Sequence, residues 1–190
     1  MPRYHLLPVL ALAFAALAVP AAAQTPPMSD ADYLAKVTTA APAGLVKGAT
    51  ILQMQADGSM KTLQTGSNGF TCMLAPPAGD PMCADANAMA WVKALMTKTA
   101  PPNLVGFVYM LAGDNGASNT DPYASAKTAD NNWIVTGSHV MIVGPAVKSM
   151  GYPMGPAADA TRPYVMWADT PYVHLMIPVG ATPTTTAAPQ

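Results

Sequence analysis

A nearly continuous apolar run near the middle of the chain reads Leu104-Val105-Gly106-Phe107-Val108-Tyr109-Met110-Leu111. Pro101-Pro102 stands just before it, and a long polar stretch, residues 112–132, follows it. Short apolar runs that are rich in β-branched and aromatic residues and bounded in this way are typical of strands. A run that polar residues hardly interrupt is typical of a strand inside a sheet rather than at its edge. We therefore predict that residues 104–111 form a central strand.

Six other segments carry strand patterns: residues 49–55, 60–65, 70–73, 140–143, 164–167 and 172–177. Asp57-Gly58 lies between the first two and is a strong signal for a tight hairpin. Asp169-Thr170-Pro171 lies between the last two and has the composition of a turn. Residues 133–135 allow either a short strand or a helical turn. The second half of the chain is therefore expected to be rich in strands.

Two helices are expected, one before the first strand and one before the apolar run. Ser29 is a favourable N-cap for the first, whose apolar residues recur at helical spacing until Pro42. Asp85 can cap the second, which extends through Lys98. Helices that accompany a run of antiparallel strands define an α+β fold. We predict a mostly antiparallel sheet with two helices packed on one face.

The first 23 residues have the pattern of a secretory signal peptide. Arg3 is followed by an uncharged apolar run at residues 6–19 and by small residues at 20–23. The run is shorter than the roughly 20 residues that a membrane span needs. The sequence therefore predicts cleavage after Ala23, export to the periplasm or the extracellular space, and no membrane attachment of the mature chain.

Size and charge narrow the possible organisation and partners. The 190 residues carry 9 basic and 10 acidic side chains. The basic residues are dispersed, which argues against a nucleic-acid partner. After the signal peptide, one domain is expected over residues 24–181. Residues 182–190 are rich in Thr, Ala and Pro and are expected to form a disordered tail.

The residue inventory excludes several kinds of catalytic site. All the acidic residues are Asp, so motifs that need Glu, such as H-E-x-x-H, are excluded. Only His139 and His174 follow the signal peptide, so one subunit cannot build a three-His zinc site. The sequence has neither a G-x-S-x-G nucleophile motif nor a phosphate-binding P-loop.

Cys72 and Cys83 are the only cysteines. An even pair in an exported chain predicts a disulfide. Residues 73–82 between them contain Pro and Gly and are expected to form a turn-rich loop. Closing a loop of this length contributes about 3 kcal/mol by chain-entropy arguments. The alternative is a metal-binding or redox pair, although redox motifs usually have the closer spacing C-x-x-C.

The two His residues share a pattern with methionine. The segments His139-Val140-Met141 and His174-Leu175-Met176 each place His and Met two residues apart in an expected strand. Strand side chains alternate, so each His shares a face with its Met. If the two strands pair, two imidazoles and two thioethers converge into a soft ligand set suited to copper as Cu(I). The candidate metal ligands are His139, Met141, His174 and Met176.

Packing is the alternative explanation, because the chain has 14 Met residues and Met is a flexible core side chain. Met110 and Met166 lie in two other expected strands and would extend the same face. That face is then either hydrophobic core or a Met-lined binding surface.

The polar stretch 112–132 is long for a loop inside a compact domain, and such loops are often functional. Its Asp and Asn side chains suggest three alternatives: ordered turns, a ligand-binding loop or a Ca²⁺ site. The residues concerned are Asp114, Asn115, Asn119, Asp121 and Asp130. Their spacing differs from that of an EF-hand, and the closing Glu is missing.

Three segments together resemble one protein family. They are residues 113–114 with 116–124, then Gly137-Ser138-His139-Val140-Met141-Ile142-Val143, and then residues 163–167 with 170–179. The likeness is to a family of small exported bacterial proteins of unknown function, and it covers roughly residues 30–180. It implies an exported, single-domain protein and assigns no catalytic or binding role to any residue.

We expect an exported binding or interaction protein without catalytic activity, with copper as a candidate ligand and its protein or small-molecule partner left open. The alternative is a hydrolase-like enzyme that uses Asp, His and Tyr side chains of the 112–132 loop and the two His strands. A deep pocket that holds either His beside Asp114, Asp121 or Tyr123 would favour the enzyme. A flat face that bears Met would favour binding.

Overall fold

The computed structural model describes residues 28–76 and 78–180. The predicted signal peptide at residues 1–23 and the predicted tail at residues 182–190 therefore lie outside the described residues. The described residues fall within the range 24–181, which the sequence predicts to be one domain.

Ten strands are present in this part of the chain. They are β1 (Thr50–Met54), β2 (Met60–Gln64), β3 (Phe70–Ala75), β4 (Asp80–Asp85), β5 (Gly106–Met110), β6 (Ala117–Ser118), β7 (Trp133–Ile134), β8 (His139–Val143), β9 (Tyr164–Met166) and β10 (His174–Pro178). Eight of them form one sheet in the order β2-β1-β3-β4-β5-β8-β10-β9, and β6 pairs with β7. β5 lies between β4 and β8, which confirms the central strand predicted from the apolar run.

Three α-helices accompany the sheet: α1 (Asp30–Val37), α2 (Ala43–Gly48) and α3 (Ala86–Thr97). The Ser29 side chain caps α1 by accepting the Asp32 N–H at 3.1 Å, as predicted. Asp85 caps α3 by accepting the Ala88 N–H at 2.8 Å, and its second oxygen accepts the Phe107 N–H at 3.0 Å. Asp85 therefore ties α3 to β5.

No helix among the described residues is long and apolar enough to cross a membrane.

The predicted disulfide links Cys72 and Cys83, but the segment between them is only partly a loop. β4 begins at Asp80, and its Cys83 lies directly opposite Cys72 on β3. The Gly79 N–H donates to the Ala75 carbonyl at 2.8 Å, so the connection between the two strands is short. Pro and Gly favour a turn here, whereas the ladder with β3 overrides that preference. The prediction of a loop over residues 73–82 was therefore wrong for its two ends.

The sheet is mixed, because β1 pairs with β3 in parallel while its other ladders are antiparallel. The Asp57-Gly58 hairpin joins β1 and β2 as predicted, and Gly58 has the positive φ of 82° that such turns require. The fold class is therefore α+β with a mixed sheet.

The helices cover both faces of this sheet rather than one. Tyr33 and Val37 of α1 pack in the same cluster as Cys72. Trp91 of α3 packs in another cluster with Met73. Since neighbouring residues of a strand point to opposite faces, α1 and α3 lie on opposite sides of β3. The prediction of two helices on one face is thus replaced by a layer on each side, and the α3 side carries the candidate site.

Candidate functional site

The sheet face that packs on α3 borders a cavity of about 530 Å³, which α3 and the 112–132 loop also line. Six methionines line it: Met82, Met96, Met110, Met141, Met166 and Met176. The three tryptophans of the chain line it as well: Trp91, Trp133 and Trp167. Its other polar lining side chains are Asp80, Asp114, Asn115, Ser125, His139 and His174. The cavity therefore gathers both His-x-Met pairs and part of the polar loop.

β8 and β10 pair in an antiparallel ladder that places Met141 directly opposite Met176. The same ladder separates His139 from His174 by four register positions. Four residues along a strand correspond to about 13 Å between backbone positions. The register thus brings together two of the four predicted copper ligands and leaves the two imidazoles at opposite ends of the Met pair.

Each imidazole has another methionine beside it. Met110 on β5 lies opposite His139, and Met166 on β9 lies opposite His174. Cross-strand partners have Cβ atoms about 5 Å apart and share a face of the sheet. The Met-bearing face expected from the sequence is therefore present, and it is buried rather than flat and exposed.

The His139 side chain is fully buried. Its Nδ1 atom lies 2.7 Å from the Gly137 carbonyl oxygen, which can only accept, so Nδ1 carries the proton. Nε2 has no hydrogen-bond partner among the described residues, and it lies 4.0 Å from Oδ2 of Asp114. Burial lowers the pKa of His139, so the neutral ring keeps a lone pair at Nε2.

Asp114, in the 112–132 loop, faces Nε2 of His139. Its Oδ1 atom accepts the N–H groups of Gly116 at 3.0 Å and Thr136 at 2.9 Å. Desolvation raises the pKa of Asp114 to about 6, against the lowering effect of these two bonds, and the charge of Asp80 raises it further. We call Asp80, Asp114 and His139 the acidic corner. It holds two carboxylates at the edge of a mostly apolar cavity.

His174 lies at the other end of the Met pair, among aromatic rings. Its Nδ1 atom donates to the Tyr172 carbonyl at 3.0 Å. Trp91 and Trp167 stack with centroids 6.0 Å apart, and both meet the His174 ring edge-on, at 5.3 and 4.8 Å. Burial lowers the pKa of His174 to about 4, so the ring is neutral at neutral pH. In both His residues, Nε2 is thus the nitrogen left for a ligand.

The deep pocket that would favour an enzyme is present in part, because the cavity holds His139 beside Asp114. Tyr123 does not line it: its hydroxyl donates to that of Tyr172 at 2.9 Å, and its ring lies 4.7 Å from Lys98 Nζ. Ser125 is the only hydroxyl residue among the described residues that line the cavity, and these include no Lys or Arg. The cavity thus supplies a base and a carboxylate without an aligned nucleophile.

The 112–132 loop uses the side chains of Asp114 and Asp121 for turns. Asp114 accepts the Gly116 N–H, and Asp121 accepts the Tyr123 N–H at 2.9 Å. These bonds bear out the turn alternative at both positions. Within residues 28–76 and 78–180, no three His, Cys, Asp or Glu side chains group as metal ligands. The loop also contributes Asn115 and Ser125 to the cavity, so turns and ligand contact are compatible.

Sequence reasoning missed Asp80 and the role of the tryptophans. Asp80 lies in a segment predicted to be a loop, whereas it opens β4 and reaches the cavity. Its neighbour in the corner, Asn115, donates its backbone N–H to Asp80 across 35 positions of sequence, at 3.2 Å. No local sequence pattern predicts a contact between two residues that lie 35 positions apart.

The fold and the cavity define an α+β protein with a ligand-sized, mostly apolar site and one acidic corner. Comparisons of the chain with protein-family models, curated proteins and solved structures found no match. The cavity's own chemistry therefore carries the functional argument.

Proposed function

We propose that this protein binds a small organic molecule in the cavity without converting it. The observation that supports this most is the volume of about 530 Å³. Small-molecule sites typically measure about 300–1,000 Å³ and combine apolar walls with a few polar groups. Met side chains adapt to the shape of a ligand, and Trp rings supply a large apolar contact area. A metal ion alone would not require such a space.

A neutral, apolar fluorescent probe, N-phenyl-1-naphthylamine, tests this proposal. We expect its emission to increase on binding and to saturate at one probe per chain. Tryptophan emission should change in parallel, because all three Trp residues line the cavity. Ala124→Phe should weaken binding because Ala124 lines the cavity, while Ala126→Phe, on the same loop outside the lining, is the matched control. Absent binding, or equal binding by both variants, would contradict the proposal.

The same proposal includes export to the periplasm or the extracellular space. The signal-peptide pattern at residues 1–23 and the Cys72–Cys83 disulfide support an oxidising compartment. The intact mass of protein recovered outside the cytoplasm is the test. A mass that retains residues 1–23, or two free thiols without reduction, argues against export.

Copper, as Cu(I), is the second candidate ligand, and the orientation of both imidazoles favours it. Metal-bound His residues usually donate their other ring N–H to a carbonyl or carboxylate, as His139 and His174 do. Thioether sulfur is a soft ligand suited to Cu(I). The four register positions between His139 and His174 favour two sites, in which each imidazole binds with neighbouring Met sulfurs, over one ion bound by all four residues.

Anaerobic Cu(I) titration against a coloured chelator separates these arrangements. His139→Gln and His174→Gln, made singly, should each remove part of the bound copper if the sites are separate. Either variant should remove all of it if His139, Met141, His174 and Met176 share one ion. Met96→Leu, which lines the cavity from α3, is the matched control. Wild-type protein that takes no Cu(I) from the chelator would rule copper out.

A hydrolase remains the alternative function, and His139 beside Asp114 is the observation that favours it. A water between Nε2 and the carboxylate would be placed for general-base activation. The described residues of the cavity lining include no Lys or Arg to stabilise an oxyanion, which is why binding is preferred. Hydrolysis of p-nitrophenyl acetate that disappears in both Asp114→Asn and His139→Gln would reverse this preference.

A further inference from the structure

We infer that the ligand of the cavity carries a primary ammonium group, which binds between Asp114 Oδ2 and His139 Nε2. The ligand class is an apolar primary amine with its hydrocarbon or aryl body along the Met pair. This inference rests on the proposed small-molecule binding and names the chemistry of its ligand.

The distance between the two acceptors fits one nitrogen with two N–H groups. Asp114 Oδ2 and His139 Nε2 lie 4.0 Å apart, too far for a direct hydrogen bond. A donor placed about 2.8 Å from each would subtend an angle of about 90°. That angle is near the tetrahedral angle between two N–H bonds of an ammonium. A single N–H or O–H could reach only one of the two acceptors well.

Both acceptors have capacity that the protein does not use. His139 Nε2 is buried without a partner among the described residues, although Nδ1 is satisfied by Gly137. In Asp114, Oδ1 already accepts two backbone N–H groups, which leaves Oδ2 for the cavity. A buried acceptor without a donor is unfavourable, so a ligand that supplies two N–H groups gains affinity there.

Charge selects a cation at this position. Asp80 and Asp114 are the carboxylates of the cavity lining, and the described lining residues include no Lys or Arg to balance them. An ammonium ion compensates this charge, whereas a carboxylate or phosphate ligand would be repelled. A neutral alcohol would leave the charge unbalanced. The acidic corner therefore discriminates among ligands of equal size.

The rest of the cavity suits an apolar body attached to that ammonium. Met110 lies beside His139, and Met141 and Met176 continue along the face toward Trp91 and Trp167. The two ends are about 13 Å apart along the strands, so the aryl group and the amine should be joined by a short alkyl chain. Because His139 is fully buried, neighbouring side chains must shift to admit the ammonium, and the flexible Met110 can do so.

Three compounds of nearly equal size provide the test: 4-phenylbutylamine, 4-phenylbutan-1-ol and 4-phenylbutanoate. Tryptophan fluorescence and calorimetry at neutral pH measure their dissociation constants. We expect the amine to bind about tenfold or more tightly than the alcohol, as for hydrogen bonds to charged groups, and the acid to bind most weakly. In Asp114→Asn the preference for the amine should fall severalfold rather than vanish, because Asp80 then remains as the carboxylate of the described lining. Asp130→Asn, an exposed carboxylate of the same loop, is the control and should retain it.

The outcomes separate this inference from the proposed function. Equal binding of amine and alcohol to the wild type overturns the inference and leaves small-molecule binding intact. An amine preference that is unchanged in Asp114→Asn places the ammonium elsewhere and also overturns it. If neither these compounds nor N-phenyl-1-naphthylamine binds, the proposed function is contradicted, and the inference with it.

Discussion

Met141 lies directly opposite Met176 in the ladder between β8 and β10, with His139 beyond one end of this pair and His174 beyond the other. The two ends of the cavity consequently differ in character. The Asp114 carboxylate lies beside His139, and the indole rings of Trp91 and Trp167 pack against His174. Burial lowers the pKa of both His residues and raises that of Asp114, so opposite pKa shifts meet at the His139 end, whereas the His174 end has the lowered pKa of His174.

Asp114→Asn should stabilise the protein in mildly alkaline solution. Desolvation raises the pKa of Asp114 to about 6, from 3.8. The contribution of this group to stability is therefore present below its unfolded pKa and is lost as the pH rises through about 6. The ionised form costs at most about 3 kcal/mol. Asn retains an oxygen for the Gly116 and Thr136 N–H groups.

Urea unfolding at about pH 8 and about pH 4 measures the effect of this substitution. We expect a gain at the higher pH and little change at the lower one. Asp130→Asn should change neither value, because Asp130 is exposed. A loss of stability at the higher pH would contradict the description of Asp114 as a desolvated carboxylate.

Acid should destabilise the protein through His174. Burial lowers the pKa of His174 to about 4, from 6.5. The unfolded chain therefore binds the proton first, and the contribution of the neutral ring is complete above 6.5 and is lost as the pH falls toward 4. The loss amounts to about 3 kcal/mol.

The matched measurement is the difference in unfolding free energy between the wild type and His174→Gln across this pH range. His139 titrates in both proteins, so the subtraction removes its own contribution and leaves that of His174 together with its coupling to the charge of His139. The difference should shrink as the pH falls, because only the wild type loses the His174 contribution. A difference that stays constant with pH would show that His174 is not desolvated as described.

Asp85→Ala should destabilise the protein by about 2–4 kcal/mol, because it removes both the α3 cap and the acceptor for the Phe107 N–H. Asp85→Asn should lose less, since one oxygen remains to accept the Ala88 N–H. Thermal and urea unfolding of both variants give the ranking. Asp169→Ala, at an exposed turn, is the control. Equal stability of Asp85→Ala and Asp169→Ala would contradict the linking role of Asp85.

Removing the disulfide with the double substitution Cys72→Ala and Cys83→Ala should cost about 3 kcal/mol, since the sequence separation is 11 residues. Both side chains are fully buried, so some packing is lost as well. Reductant should lower the unfolding midpoint of the wild type and leave the double variant unchanged. A double variant as stable as the oxidised wild type would contradict this contribution of the disulfide to stability.

Several features could be predicted from sequence because short-range chemistry decides them. Ser29 and Asp85 cap helices through N–H groups three positions away. Gly58 supplies the positive φ of the first hairpin. With only two cysteines in the chain, the pairing of Cys72 and Cys83 had a single possible form. The caps and the hairpin depend on neighbouring residues, and the disulfide pairing depends on the number of cysteines.

The candidate site could be predicted only in part. Alternation along a strand correctly placed His139 with Met141, and His174 with Met176, on one face. It could not tell which ends of the two strands meet, because register is set by hydrogen bonds between residues far apart in sequence. The antiparallel register joined the methionines and separated the imidazoles. Whether either imidazole binds copper stays a prediction.

The sequence by itself determined the local elements: the capped helices, the Asp57-Gly58 hairpin, the apolar strand β5 and the identity of the disulfide partners. Only the tertiary structure decided that β4 is a strand, that helices cover both faces, and that Asp80, Asp114 and His139 share a corner. The physical reason is the range of the interactions. Caps and turns are satisfied within a few residues, whereas a ladder, a layer or a buried charge acquires its partners only when distant segments pack together.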